Sequence, residues 1–184
     1  MNRSQMTPKE WDAYKEKVLD IRNFKQDGFE HVCDVDPQQI GRWQYKNINE
    51  SLMFAEHASW VYMIVLEQII VKLGETGNPL GISEYYRYGK YESQPKASSQ
   101  CRLGRLRTGD GTDSYIRQHL APYIRSGHTV SIWAKKCPIK SLTESIGGTE
   151  SRVQTTIHKS LEQAYLKYFQ KKIGQYPWLN KAGK

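Results

Sequence analysis

The stretch SWVYMIVLEQIIVKLGETGNP, residues 59–79, decides how this chain is read. Two apolar runs flank Glu67-Gln68, each the length of a buried strand, and together they read as a β-hairpin. Tyr62 lies inside the first run and Lys72 inside the second, just before Leu73 and Gly74. A core strand accepts a tyrosine. A lysine between Val71 and Leu73 is harder to explain by packing, because lysine is almost never fully buried without a partner. Side chains alternate between the two faces of a strand. A regular two-residue turn at Glu67-Gln68 therefore sends Tyr62 and Lys72 to opposite faces, whereas an odd loop or a bulge brings them to one. One such register sets Gly74 opposite Tyr62 and Lys72 opposite Ile64. Together the two side chains carry chemistry: a free phenol ionises near pH ~10, and a neighbouring ammonium favours its phenolate. Such a pair can accept a proton from a water attacking phosphorus. Gly74, lacking a side chain, is expected to leave room for substrate beside the tyrosine. A tyrosine that only fills the core is the alternative.

The 184 residues suit one domain with an appended terminal segment. A net charge of +8 and a pI near 9.3 point to an anionic partner, nucleic acid before membrane. The charge is spread along the chain, so a merely solvated basic surface is the competing reading. Cys33, Cys101 and Cys137 are an odd number without the short spacing of a zinc site, which argues for reduced thiols rather than a disulfide framework. No apolar signal segment opens the chain and no run is long enough to span a bilayer, so a soluble, cytoplasmic protein with no membrane partner is expected.

Before the hairpin, TPKEWDAYKEKVLDIRN reads as a helix with Thr7 as N-cap, Pro8 in the first turn and Glu10 closing a capping box. Trp11, Tyr14, Val18 and Ile21 recur at helical spacing. Phe24 to about Ser51 reads as a connecting arm with short helical pieces, making residues 1–51 an N-terminal helical arm that grips DNA or another subunit. Residues 52–184 form the main domain, with a Tyr-, Gly- and Ser-rich insertion at about 77–100. In its centre, Arg87 and Lys90 lie among tyrosines, a composition suited to stacking and phosphate contact, or simply to a solvated loop. A helix capped by Thr112 or Asp113 is expected to run to about Arg125, followed by a strand in HTVSIWAKKC. A long helix is expected over residues 150–174, ended by Gly174. The fold class is α/β of the α+β type: a small, mostly antiparallel three-stranded sheet flanked by helices.

The motifs VYMI and KLGET, with Lys72 ten positions after Tyr62, resemble the GIY-YIG nuclease family. The chain departs from the family at both triplets, with Trp60-Val61-Tyr62 in the first and Lys72-Leu73-Gly74 in the second. The resemblance implies Tyr62 as general base and Lys72 as its partner. It also implies an arginine after the second strand, yet Gly81-Ile82-Ser83 stands in the expected place. Past the insertion, RLGRLRTGDGTD resembles the arginine segment of phage endonuclease II and of insertion-bearing type II restriction enzymes. Arg102 is then the catalytic arginine, Arg105 the runner-up and Arg107 a phosphate contact. A guanidinium suits that role because it grips two phosphate oxygens at once; a solvated basic turn is the plain alternative.

The family places a metal-binding glutamate on a late helix, and Glu162 in SLEQAYLKYF fits. His158, Glu162, Tyr165 and Phe169 share a helical stripe beside a fuller apolar face of Val153, Ile157, Leu161 and Ala164. His158 can reach the same ion, with a supporting or surface place preferred. Asn180 in YPWLN resembles the family's late asparagine, which anchors the site. The resemblance, over about residues 60–180, thus implies a Mg²⁺- or Mn²⁺-dependent endonuclease acting on double-stranded DNA, of the restriction or phage type. It further implies a homo-oligomer, dimer or tetramer, since cutting a duplex needs two sites. A non-catalytic nucleic-acid-binding module on the same fold is the alternative.

Overall fold

In the computed structural model the described residues are 7–17, 19–36, 43–53, 59–76 and 112–180. Helix α1, Pro8–Lys17, begins at the capping box. Thr7 Oγ1 accepts from the Glu10 N–H at 3.3 Å, and the Glu10 carboxylate accepts from the Thr7 N–H at 2.8 Å. These bonds to Thr7 hold the Glu10 carboxyl below its ordinary range. Trp11 and Tyr14 are buried, as helical spacing requires.

The main sheet has five antiparallel strands in the order β2-β1-β5-β3-β4. They are β1 Glu30–Asp36, β2 Gln44–Lys46, β3 Ser59–Leu66, β4 Ile69–Thr76 and β5 Val130–Cys137. A three-stranded sheet is therefore too small. The hairpin and β5 are as read, but the segment taken for a helical arm adds β1 and β2 beyond β5. A second surprise follows β5. Strands β6, Ile139–Ile146, and β7, Thr149–Thr156, form a separate two-stranded ribbon, joined by Gly147 and Gly148 at φ 61° and 80°. The late helix thus starts only at His158, and Val153 belongs to a strand. Among the described residues the further helices are the short 3-10 turn Ile21–Phe24, α2, Glu50–Met53, α3, Thr112–Arg125, and α4, His158–Ile173, the last stopped by Gly174 at φ 76°.

Two apolar layers cover the sheet, one on each face. On one, Trp60, Tyr62, Ile64 and Leu66 of β3 pack with Trp11 and Tyr14 of α1, Ile116 and Leu120 of α3, and Trp178. On the other, Val61, Met63 and Val65 meet Ile21, Phe24 and Phe169, with Leu161 and Tyr165 of α4 against them. Every residue of β3 is buried, the pattern of a central strand clad on both sides. Cys33 and Cys137 are buried free thiols. No helix among the described residues is long and apolar enough to cross a membrane.

Strand β4 lies at the end of the sheet order, yet its outer edge is dressed from both ends of the chain. Asp20 bridges Ile69, and Ile21 N–H donates to Gln68 O at 3.0 Å. Tyr14 Oη donates to Ile70 O at 3.0 Å and accepts from Trp178 N–H at 2.9 Å. Leu179 N–H donates to Val71 O at 2.7 Å. The Asn180 amide completes the seal, accepting from Leu73 N–H and donating to Leu73 O, both at 2.8 Å. Covering an edge this way satisfies polar groups that would otherwise recruit another strand.

Candidate functional site

The hairpin turns tightly, with Leu66 opposite Ile69 and only Glu67-Gln68 between. Glu67 takes a left-handed φ of 58°, a conformation costing about 1–2 kcal/mol for a residue with a Cβ. Two bonds to Thr129 hold it there: Glu67 N–H donates to Thr129 O at 2.8 Å, and Thr129 N–H donates to the Glu67 carboxylate at 2.9 Å. A turn of this length would separate Tyr62 from Lys72 if the pairing stayed regular. It does not: Val65 pairs with Ile70 and Ile64 with Lys72, so Val71 is the extra residue of a β-bulge. Beyond the bulge, Tyr62 stands opposite Gly74 and Lys72 opposite Ile64. Directly paired residues share a face. Tyr62, Gly74 and Lys72 therefore form one row, by a bulge rather than an odd loop.

Gly74 has a different use from the one expected. A Cβ built there would fall 2.4 Å from both Cζ and Oη of Tyr62. The vacancy is filled by the tyrosine ring, not reserved for substrate. On its other side Tyr62 faces Ala134 of β5, so both cross-strand neighbours are the smallest residues available. The ring is 0 % exposed, while Lys72 is half-buried.

A tyrosine–lysine contact elsewhere in the fold bears on such pairs. Lys135 Nζ donates to Tyr165 Oη at 3.3 Å, yet burial first, and then Asp27, push the Tyr165 phenol up to about 12. An adjacent ammonium alone does not make a phenolate; it must outweigh burial.

Helix α4 presents His158, Leu161, Glu162, Tyr165 and Phe169 inward to varying depth, with Ala164 exposed. The stripe carrying Glu162 is thus the packed one, and Ala164 does not belong to an apolar face. Glu162 itself is half-buried. Its helix covers the Val61, Met63 and Leu73 side of the hairpin, whereas Tyr62 points into the other layer. His158 is neither a surface residue nor grouped with Glu162 in a metal cluster. It is buried, and its Nε2 lies 3.1 Å from the carboxylate of Glu75, a residue that sequence reasoning passed over although it follows Gly74 directly. Among the described residues no three His, Cys, Asp or Glu side chains converge in a metal-binding group. Asn180 anchors β4 through Leu73, as described above. Arg102, Arg105, Arg107, Arg87 and Lys90, with the insertion that holds the last two, lie outside the described residues.

The site region is thus an antiparallel sheet clad by helices on both faces, with Tyr62, Gly74 and Lys72 in one row on the β3–β4 hairpin. Among solved structures, a point mutant of EndoII from bacteriophage T4 is similar in fold, with a TM-score of 0.51 and 15% identity over 87% of this chain and 98% of that one. Restriction endonuclease HPY188I in complex with product DNA gives a TM-score of 0.45 and 21% identity over 94% of this chain and 91% of its own. At 15% identity the likeness to EndoII is one of fold alone. No family model matches the chain, and no curated protein matches it in sequence.

Proposed function

We propose that the chain is a metal-dependent endonuclease that hydrolyses phosphodiester bonds in double-stranded DNA, of the restriction or phage type. The observation that supports this best is the bulged hairpin register, which gathers Tyr62, Gly74 and Lys72 in one row on a nuclease-like fold. In this reading Tyr62 takes the proton of the attacking water. Burial opposes its phenolate, so the role depends on the ammonium of Lys72 in the same row. Arg102 holds two oxygens of the scissile phosphate, with Arg105 as the alternative for that role. Arg107, Arg87 and Lys90 contact flanking phosphates and make binding salt-dependent.

Glu162 is the residue that would hold one Mg²⁺ or Mn²⁺. A half-buried carboxylate is the kind of hard oxygen ligand that suits such an ion, which keeps most of its waters. When bound, such an ion supplies the positive charge that stabilises the leaving 3′-oxygen. Asn180 keeps β4 in register, and with it Lys72 and Gly74. Two such sites, hence a dimer or tetramer, serve the two strands of a duplex.

The second reading, a non-catalytic nucleic-acid-binding module, is favoured by the full burial of Tyr62. A plasmid digest with Mg²⁺ beside an EDTA control decides between them. The wild-type chain should nick or linearise the plasmid only with the metal. Arg102→Ala and Glu162→Ala should abolish cutting while keeping DNA affinity in EDTA. A wild-type chain that binds the plasmid and leaves it intact with either Mg²⁺ or Mn²⁺ refutes the nuclease, and normal cutting by Glu162→Ala refutes its metal role.

A further inference from the structure

One contact joins the two elements on which that mechanism depends. His158 opens α4, and its Nε2 lies 3.1 Å from the Glu75 carboxylate of β4. The imidazole is nine-tenths buried, at 7% exposure. Glu75 follows Gly74, the residue on which the Tyr62 ring rests. Glu162 comes four residues after His158, and residues so spaced lie on one helix face. The ring's other nitrogen, Nδ1, is buried without a hydrogen-bond partner among the described residues. Among the described residues no polar contact at Nδ1 competes for the ring, and the contact that orients it is the one through Nε2. Donation from Nε2 to a carboxylate is the stronger, charge-assisted kind of hydrogen bond.

We infer that Glu75 and His158 are a positioning pair, which fixes the first turn of α4 against the end of β4 and thereby sets Glu162 relative to the Tyr62–Lys72 row. The contact stands on its own geometry, while its purpose rests on the nuclease reading. Neither residue touches substrate in this scheme. Misplacing a catalytic group by about 1 Å can cost about a hundredfold in rate, so a pair that merely holds an angle still shows in turnover.

The test compares Glu75→Ala, which removes the acceptor, with Glu75→Gln, which keeps an amide oxygen at the same reach. Wild-type cleavage is measured first; a wild-type chain that leaves DNA intact overturns the nuclease reading and this role with it. In a cutting enzyme, Glu75→Ala should lower kcat by about tenfold to a hundredfold, with KM and DNA affinity in EDTA nearly unchanged. Glu75→Gln should restore most of the turnover. Ring ¹⁵N shifts give a readout apart from activity: His158 should hold its proton on Nε2 in the wild type and in Glu75→Gln, and should mix tautomers in Glu75→Ala. Wild-type kcat in Glu75→Ala, or an equal loss in Glu75→Gln with the tautomer intact, overturns the positioning role.

Discussion

Replacing Gly74 by alanine tests the closest contact in the candidate site. The added methyl would lie 2.4 Å from Tyr62 Cζ and Oη and 2.7 Å from Cε1, closer than carbon atoms tolerate. The ring cannot simply slide away, since Tyr62 is fully buried and β5 flanks it on the far side. Overpacking of this kind costs about 1–3 kcal/mol. Working against it, alanine in place of an interior glycine gains about 0.5–1 kcal/mol of backbone entropy. Gly74 has no positive φ that an alanine would strain, so these two effects decide the outcome. The net loss should be about 1–2 kcal/mol, or about 2–8 °C in Tm for a chain of this length. With the ring removed first, by Tyr62→Ala, the sign should reverse and Gly74→Ala should stabilise slightly. Urea unfolding of the four proteins in the cycle should therefore give a coupling of about 2 kcal/mol. An equal penalty for Gly74→Ala in both backgrounds would mean that the glycine serves the backbone and not the ring, and the reasoning fails.

Tyr14→Phe should cost about 2–4 kcal/mol, because it orphans the buried Ile70 carbonyl and Trp178 N–H at about 1–3 kcal/mol each; thermal unfolding checks this, and a loss below about 0.5 kcal/mol refutes it. Asp20 gives a pH signature. Burial raises its carboxyl pKa, but the side-chain and backbone bonds from Arg22 and the charges of Arg22 and Lys25 outweigh that and leave it lowered. A carboxyl depressed in the folded state stabilises above its unfolded pKa and loses that contribution as pH falls through the folded value. Asp20→Asn should accordingly be less stable than wild type at neutral pH, and the gap should close below about pH 4; a gap unchanged into acid contradicts the assignment.

Particular residues explain which elements were legible. The hairpin, β5, the capping box at Thr7 and the stop at Gly174 could be read because each rests on a local rule that the tertiary structure obeys. Strand β1 could not. A register shift between His31 and Cys33 sends the consecutive residues Val32 and Cys33 into one core layer, which destroys the alternation that marks a strand. Strand β2 is only Gln44–Lys46, too short to carry a period. The β6–β7 ribbon did leave a signal, since paired glycines between short runs favour a two-residue hairpin turn. That signal was overridden by Val153, Ile157 and Leu161, whose fourfold spacing mimics a helix continuing backwards. Within the site, parity left open whether Tyr62 and Lys72 share a face, and it allowed either an odd loop or a bulge to bring them together. The bulge at Val71 arises from how Ile70 and Lys72 pair with β3, and no single residue announces it. The Glu75–His158 contact is equally invisible to spacing, because it joins residues far apart in the sequence.

The sealed outer edge of β4 has a consequence for synthesis. The hairpin is complete once Thr76 has been made, but the groups that cap its edge include Trp178, Leu179 and Asn180. At about 5–20 residues per second, the roughly one hundred intervening residues take about 5–20 s to add. Throughout that interval the nascent chain carries an apolar strand with unpaired backbone groups, the kind of template that recruits other strands. Contacts closing so late in the sequence also slow the final folding step. Trp178, Leu179 and Asn180, made long after the hairpin, thus decide whether it ends in its own sheet or in a neighbour's.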